Sequence, residues 1–294
     1  CSSDLAGMKS YGAAINLKSS NTTINNSEFD GNTAGYCGGA INAENNNILL
    51  NITGSTFTKN GLPYGGWSNG GAICSYNTVI IDKSLFYDNI LETGKNGKSI
   101  NQYGDGSLTI TNSVLLDGDK SVYVGSGSTT LKNNWWGNND TAKNSNPKDL
   151  GYTNANVISY LYLNMTMFAS GFDVGDTASV NINLLSTGDE INIMDLPATL
   201  TAVNGSLNKD TLVLVNGVGS AEYTITGVGD NSVTVHVLSI EDTYSLSSGD
   251  VVSSEIVYVN STGGSDSNSG VNWDNAFQTT TRSEERRVGK ECRS

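Results

Sequence analysis

Ile52-Thr-Gly-Ser55-Thr-Phe57 returns without gaps as Ile81-Asp-Lys-Ser84-Leu-Phe86, and it is preceded by Ile24-Asn-Asn-Ser27-Glu-Phe29. Two further copies come later in the chain, Ile110-Thr-Asn-Ser113-Val-Leu115 and Leu131-Lys-Asn-Asn134-Trp-Trp136. The anchors Phe29, Phe57, Phe86, Leu115 and Trp136 are 28, 29, 29 and 21 residues apart. Self-similarity at such a period marks a stacked-repeat architecture. Three residues past the anchors stand Asn32, Asn60, Asn89, Gly118 and Asn139. Upstream come Gly12-Ala-Ala-Ile15, Gly38-Gly-Ala-Ile41, Gly70-Gly-Ala-Ile73 and the weaker Gly97-Lys-Ser-Ile100.

One such unit cannot bury its own apolar face and must stack on its neighbours. Short strands broken by Gly and Asn turns, with one apolar position repeating per unit, predict a parallel β-helix with rungs ~4.8 Å apart. The isoleucines then line one interior column and the Phe/Leu/Trp anchors another. Serine two positions before each anchor shares the anchor's face, because side chains alternate along a strand. Asparagines at one corner are placed to form amide ladders, and the Gly-Gly pairs allow corners where a β-carbon would clash. A leucine-rich repeat is excluded because leucine is sparse and no helix-period stretch separates the strands. Trp135-Trp136 is expected to cap the last rung.

Among the 294 residues, 37% are hydrophobic and only 15% charged, with 34 glycines and three prolines. The net charge of −13 argues against nucleic-acid binding, which calls for a basic stripe. No apolar run approaches the ~18 residues of a membrane span. The chain begins at Cys1 with no signal peptide or starting methionine, so it reads as a fragment. Arginine is absent until Arg282, after which the last thirteen residues hold four. RSEERRVGKECRS resembles the translation of a sequencing adapter, and residues 282–294 are read as an artefact. Without them the chain carries 11 basic and 26 acidic residues, a net −15. The remaining Cys1, Cys37 and Cys74 are odd in number and irregularly spaced. They predict neither a disulfide framework nor a metal site.

The expected division is a parallel β-helix over 1–140, a linker over 141–155 and a β-sandwich over 156–252. A truncated start of a second β-helix occupies 253–281. The sandwich expectation rests on β-rich runs at Val157–Phe168, Ala178–Leu185, Ala198–Val203, Thr211–Val215, Ala221–Thr226 and Ser232–Leu238. Turn signals such as Asn204-Gly205 and Asn216-Gly217 separate them, a pattern of immunoglobulin type. His236 alternates with Val233, Val235 and Val237, so it should face solvent in a structural role. Asp266-x-Asn268-x-Gly270 opens like a calcium loop but lacks the remaining ligands, and it reads as a turn.

GGAI followed by Phe-x-x-Asn resembles the repeat of the polymorphic outer-membrane proteins of chlamydiae. Asn134-Trp135-Trp136-Gly137-Asn138 and the residues after it are similar to the adhesin-like surface proteins of methanogenic archaea. The resemblance implies an all-β chain: a right-handed parallel β-helix of pectin-lyase type followed by an immunoglobulin-like β-sandwich. It also implies a non-catalytic, extracellular cell-surface protein that contacts glycans or cell-surface proteins. The alternatives are a carbohydrate-active enzyme of the pectin-lyase fold and a purely structural cell-wall spacer.

The enzyme alternative meets poor chemistry. Residues 1–150 contain ten lysines but no arginine or histidine, and polygalacturonase-type Asp-Asp and Gly-His-Gly blocks are absent. The repeat alignment stacks Lys59, Asp88, Asp117 and Asn138. That would put Asp88 and Asp117 on adjacent rungs ~5 Å apart, near the carboxyl spacing of retaining glycosidases or fit for a cation. The favoured reading is a solvated ladder with Lys59 offsetting Asp88. No catalytic, cofactor or metal residue is therefore assigned. Asn-x-Ser/Thr sequons occur at Asn21, Asn25, Asn51, Asn139, Asn164, Asn204 and Asn260. Tyr64 and Trp67, in the longest loop insertion, are candidates either for stacking on sugar rings or for local packing.

Overall fold

The computed structural model describes residues 10–44, 48–62, 69–118, 120–139, 156–188, 190–246, 259–263, 265, 267 and 278. These residues form an all-β structure opening with a parallel β-solenoid of about four turns. Among them there is no helix long and apolar enough to cross a membrane. The segments 141–155 and 282–294 lie outside the described residues, as does nearly all of 253–281, including Asp266, Asn268 and Gly270.

Three parallel sheets wall the solenoid. The first stacks Ile15–Leu17, Ile41–Ala43, Ile73–Ser75, Ile100–Gln102 and Val122–Val124. The second runs from Thr22–Asn25 through Leu49–Thr53, Thr78–Asp82, Leu108–Thr111 and Thr129–Lys132 to Asn156–Val157. The third stacks Glu28–Asp30, Thr56–Thr58, Leu85–Tyr87, Val114–Leu115 and Asn134–Trp135. The strand register reproduces the gapless repeat alignment. Ile24, Ile52, Ile81, Ile110 and Leu131 pair in sequence, as do Phe29, Phe57, Phe86 and Leu115.

Inside, Phe29, Phe57 and Phe86 stack with ring centroids 4.7 and 4.8 Å apart and planes within 3° and 2° of parallel. Rung spacing dictates this, since identical residues in register repeat at the distance between paired strands. Ile41, Ile73, Ile100 and Val122 line the opposite wall, fully buried. The first glycine of each Gly-x-x-Ile turn has positive φ: 53° at Gly12, 64° at Gly38, 82° at Gly70 and 74° at Gly97. A β-carbon at Gly38 would lie 2.0 Å from the carbonyl oxygen of Ile41, so the turn closes only on glycine.

The third sheet does not end with the solenoid. Tyr160–Ala169 joins it in parallel, Tyr160 opposite Asn134 and Leu161 opposite Trp135. It then pairs antiparallel with Thr177–Ser186, which leads on to Val218–Ile225 and Gly205–Leu207. A second antiparallel sheet orders Thr211–Leu214, Leu196–Val203, Ser232–Val237 and Ile240–Ser245. The two antiparallel sheets share one core that includes Met167, Val180, Ile182, Leu200, Tyr223 and Val235.

That core reaches onto the outer face of the solenoid. Glu28, Thr56, Leu85, Val114, Trp135 and Leu161 form one register row. The row passes from exposed at Glu28 to fully buried from Val114 onward. The tryptophan pair accordingly divides its work: Trp136 closes the solenoid interior beside Tyr160, whereas Trp135 belongs to the antiparallel core.

One feature of this region is hidden in the sequence pattern, and one is announced by it. Ile240–Ser245 is an edge strand whose alternate residues face solvent, and its Glu241-Asp242 pair disguises it. Asn216-Gly217 makes a tight hairpin turn with φ of 50° and 78°, the conformation for which Asn-Gly is selected.

Phe57→Ala, at the centre of the ring stack, is expected to lower unfolding free energy by ~3–5 kcal/mol, and Phe86→Ala by a similar amount. Ser126→Ala, at an exposed position, should stay within about 0.5 kcal/mol of wild type. Denaturant unfolding of the three variants checks the rung register.

Candidate functional site

Corners of a solenoid leave backbone N–H groups without strand partners, and a buried N–H must find one. Two side-chain ladders meet this need. In the first, the backbone N–H of Ser27, Ser55 and Ser84 donates to Oγ of the next serine up the stack, at 3.2, 3.2 and 3.1 Å. The N–H of Ser113 donates to Asn134 Oδ1 at 3.0 Å. Each serine hydroxyl in turn donates to the carbonyl two residues before it.

The second ladder runs through the asparagines. The N–H of Asn32 donates to Asn60 Oδ1 and that of Asn60 to Asn89 Oδ1, both at 3.1 Å. The next member is Asp117: Asn89 donates to it twice, from N to Oδ1 at 2.8 Å and from Nδ2 to Oδ2 at 2.9 Å. This corrects the expected pairing of Asp88 with Asp117. The Leu115 rung is one residue shorter past its anchor, so Asp117 falls in register with the asparagines and is buried. Asp88 sits exposed at a corner with φ of 55°, equivalent to Lys59 with φ of 53°. The two carboxylates do not converge, and neither a retaining pair nor a two-carboxylate cation site is formed.

Asp117 also accepts from Ser99 Oγ at 2.5 Å, and Ser99 Oγ lies 3.0 Å from Ser121 Oγ. Burial holds the Asp117 carboxyl above its usual range. The bonds from Ser99 and Asn89, and the charge of Lys98, pull the other way. Buried at this interior corner, the Ser–Asp contact is a ladder terminus. Among the described residues there is no group of three or more His, Cys, Asp or Glu side chains able to hold a metal.

The outer side of the first sheet is different. Its middle row reads Asn16, Asn42, Cys74, Asn101 and Tyr123. Cys74 is bonded to Cys37, with Cα atoms 5.7 Å apart and a sequence separation of 37. The expectation that these cysteines form no disulfide is thereby overturned. Spacing hid the pairing because Cys37 lies in a turn and Cys74 in a strand of the next rung, brought together only by stacking.

Tyrosines surround this bridge. Tyr11 and Tyr36 pack with centroids 4.8 Å apart, and Tyr76 stacks on Tyr103 at 5.1 Å. Tyr103 accepts a hydrogen bond from Asn69, which occupies the same turn row as Tyr11 and Cys37. Burial and the neighbouring Tyr103, Tyr36 and Tyr11, with Glu44, raise the Tyr76 phenol pKa. Beside them, Asn42 donates to both Asn16 and Glu44. Tyr76 is 39% exposed. The result is a ridge of partly exposed aromatic rings edged by Asn16, Asn69 and Glu44, lying beside the buried Asn42, Cys74 and Asn101.

Tyr64 and Trp67 lie outside the described residues. His236 keeps company that its sequence neighbours do not suggest, with Nδ1 3.6 Å from Glu241 Oε2 on the neighbouring strand, both on the solvent side. Of the sequon asparagines, Asn25 is exposed at a strand end. Asn139 accepts from the N–H of Leu163, and Asn204 donates to the Asp230 carbonyl.

No protein-family model matches this chain, and no curated protein or solved structure does so either.

Removing the bridge with Cys37→Ser/Cys74→Ser is expected to lower stability by about 2–4 kcal/mol, the usual range for a disulfide. Unfolding with and without reductant provides the same comparison. For Asp117, the unfolded chain ionises first, so this residue's contribution to stability is full below the ordinary carboxyl value of 3.8. It is lost as pH rises through the raised native value. Asp117→Asn, which extends the amide ladder, should remove this decline. Unfolding free energies of both proteins, followed from below the carboxyl range to neutrality, should converge at the acid end and separate toward neutrality in favour of the variant.

Proposed function

We propose that this chain is a non-catalytic contact protein of the cell surface, of the adhesin-like kind its repeats resemble. The solenoid, right-handed as parallel crossovers nearly always are, acts as a rigid rod. The antiparallel sheets behind it act as an immunoglobulin-like spacer, and the tyrosine ridge meets glycans. The observation that carries this reading is the cluster of partly exposed Tyr11, Tyr36, Tyr76 and Tyr103 flanking the first sheet, bordered by Asn16, Asn69 and Glu44. Aromatic faces with flanking amides are suited to sugar rings, which offer an apolar face and a rim of hydroxyls.

The disulfide supports an extracellular location, since such bonds persist in oxidising compartments. The net charge of −13 suits a hydrated surface and disfavours nucleic acid as partner. A lyase or hydrolase of the pectin-lyase fold is disfavoured by the separation of Asp88 from Asp117. The absence of arginine and histidine from residues 1–150 weighs the same way, since a proton-transfer group must be at hand. A purely structural spacer would leave the tyrosine ridge without a use.

A glycan array probed with the wild-type chain and with Tyr76→Ala/Tyr103→Ala tests the reading. Binding by the wild type, weakened about tenfold or more in the variant, is the expected result, since aromatic stacking contacts are worth about 1 kcal/mol each. Binding that survives the double substitution would remove the ridge from the contact. An array with no binding would favour the spacer, and release of unsaturated sugars would establish a lyase.

A further inference from the structure

A groove of about 550 Å³ lies where the second solenoid sheet meets the loops of the antiparallel sheets. That volume falls within the ~300–1,000 Å³ of small-ligand sites. Its solenoid wall carries Asn112 and Lys132, and its opposite wall Glu190, Ile191 and Asn192.

Two asparagines hold the walls in place. Asn133 is buried: its Nδ2 donates to the Glu190 carbonyl at 3.1 Å, while its Oδ1 accepts from Ser159 and Ser186 at 2.7 and 2.8 Å. Asn216 donates from Nδ2 to the Ile191 carbonyl and accepts on Oδ1 from the Ile193 N–H, both at 2.9 Å. The segment 190–193 is thus clamped at both ends, and the side chains it presents are preorganised, which reduces the ordering cost of binding.

The presented groups define the ligand. Among the described residues neither the Glu190 carboxylate nor the Asn192 amide has a hydrogen-bond partner, and both are exposed. Asn112 spends its Nδ2 on Asp82 Oδ1 at 2.8 Å, which leaves its carbonyl oxygen as an acceptor. Ile191 is the one apolar residue of the lining, so an apolar ligand gains little. The Glu190 carboxylate and the Lys132 ammonium, one on each wall, offset each other, so the groove carries no net charge to select an anion, and a single carboxylate is too few for a calcium ion. What remains is a neutral molecule rich in hydroxyls, which both donate and accept.

We propose that this groove binds one or two units of a neutral saccharide. Hydroxyls would donate to Glu190 and the Asn112 carbonyl and accept from the Asn192 amide. The site is separate from the tyrosine ridge and does not depend on it.

The probes are the methyl glycosides of glucose, galactose, mannose, N-acetylglucosamine and glucuronic acid. Each is titrated into the full 294-residue chain while backbone amide resonances are followed by NMR. An open polar groove suggests affinity of about 1 mM. At least one neutral glycoside should shift the amides of Glu190, Asn192 and Asn216. Asn192→Ala and Glu190→Ala should each weaken that binding about five- to tenfold, the loss of one hydrogen bond. Both positions are exposed, so the unfolding midpoint should not move. Tyr76→Ala/Tyr103→Ala should leave the groove titration unchanged, so failure at the ridge and failure at the groove are read separately. The proposal falls if no neutral glycoside shifts these amides, if the shifts survive both groove substitutions, or if the glucuronide binds more tightly than every neutral sugar.

Discussion

The structure depends on satisfying the backbone N–H groups at the solenoid corners. Strand ladders account for the amides within each sheet, but every rung must also turn between sheets, and there the N–H groups point along the stack with no strand above them. Ser55, Ser84 and Ser113 answer at one corner and Asn60, Asn89 and Asp117 at the other, each accepting from the backbone of the rung below. A left-over buried N–H costs on the order of 1–3 kcal/mol. A missing ladder residue would therefore outweigh the gain from most single contacts. Because each acceptor must sit one rung from its donor, the ladders also fix the repeat length and the register of the phenylalanine stack.

The same constraint decides what the corner side chains can do. The ladder serines and asparagines are committed to the corner N–H groups, and Asp117, the one buried carboxylate among the described residues, ends such a ladder. The repeat is broken at two places on the outside. Cys74 interrupts the outer row of asparagines and, bonded to Cys37, ties the turn bearing Tyr36 to the strand that leads to Tyr76. At the opposite end, the third sheet passes without interruption from the parallel stack into the antiparallel one. The loops of that second body, held by Asn133 and Asn216, close the polar groove.

Much of this is legible in the amino-acid order. The Ile-x-x-Ser-x-Phe spacing contains the interior columns, and the Phe-x-x-Asn spacing contains the corner ladder as far as Asn89. The residues before the anchors hold a further signal: they pass from polar at Glu28 and Thr56 to apolar at Leu85, Val114 and Trp135. A polar-to-apolar drift on an outward row means that something progressively covers it, and here the antiparallel core does so. Asp117 is misplaced by an alignment that assumes equal rung lengths past the anchor, because a deletion of one residue moves a corner side chain to the next ladder.

What the amino-acid order alone determined is whatever repeats: stack, interior and corner chemistry, all set by contacts between equivalent residues one period apart. Periodicity makes such contacts visible, because each residue's partner is its own counterpart. Only the tertiary structure decided what is not periodic. The Cys37–Cys74 bridge, the approach of Tyr11 and Tyr36 to the in-register Tyr76–Tyr103 stack, the split duty of Trp135 and Trp136, and the His236–Glu241 pair each join residues with no equivalent position. So does the groove between residues 111–133 and 190–216. Their meeting depends on how turns project from the stack and how the last rung hands its sheet to the next body. That geometry is accumulated over the whole fold, and no local pattern encodes it.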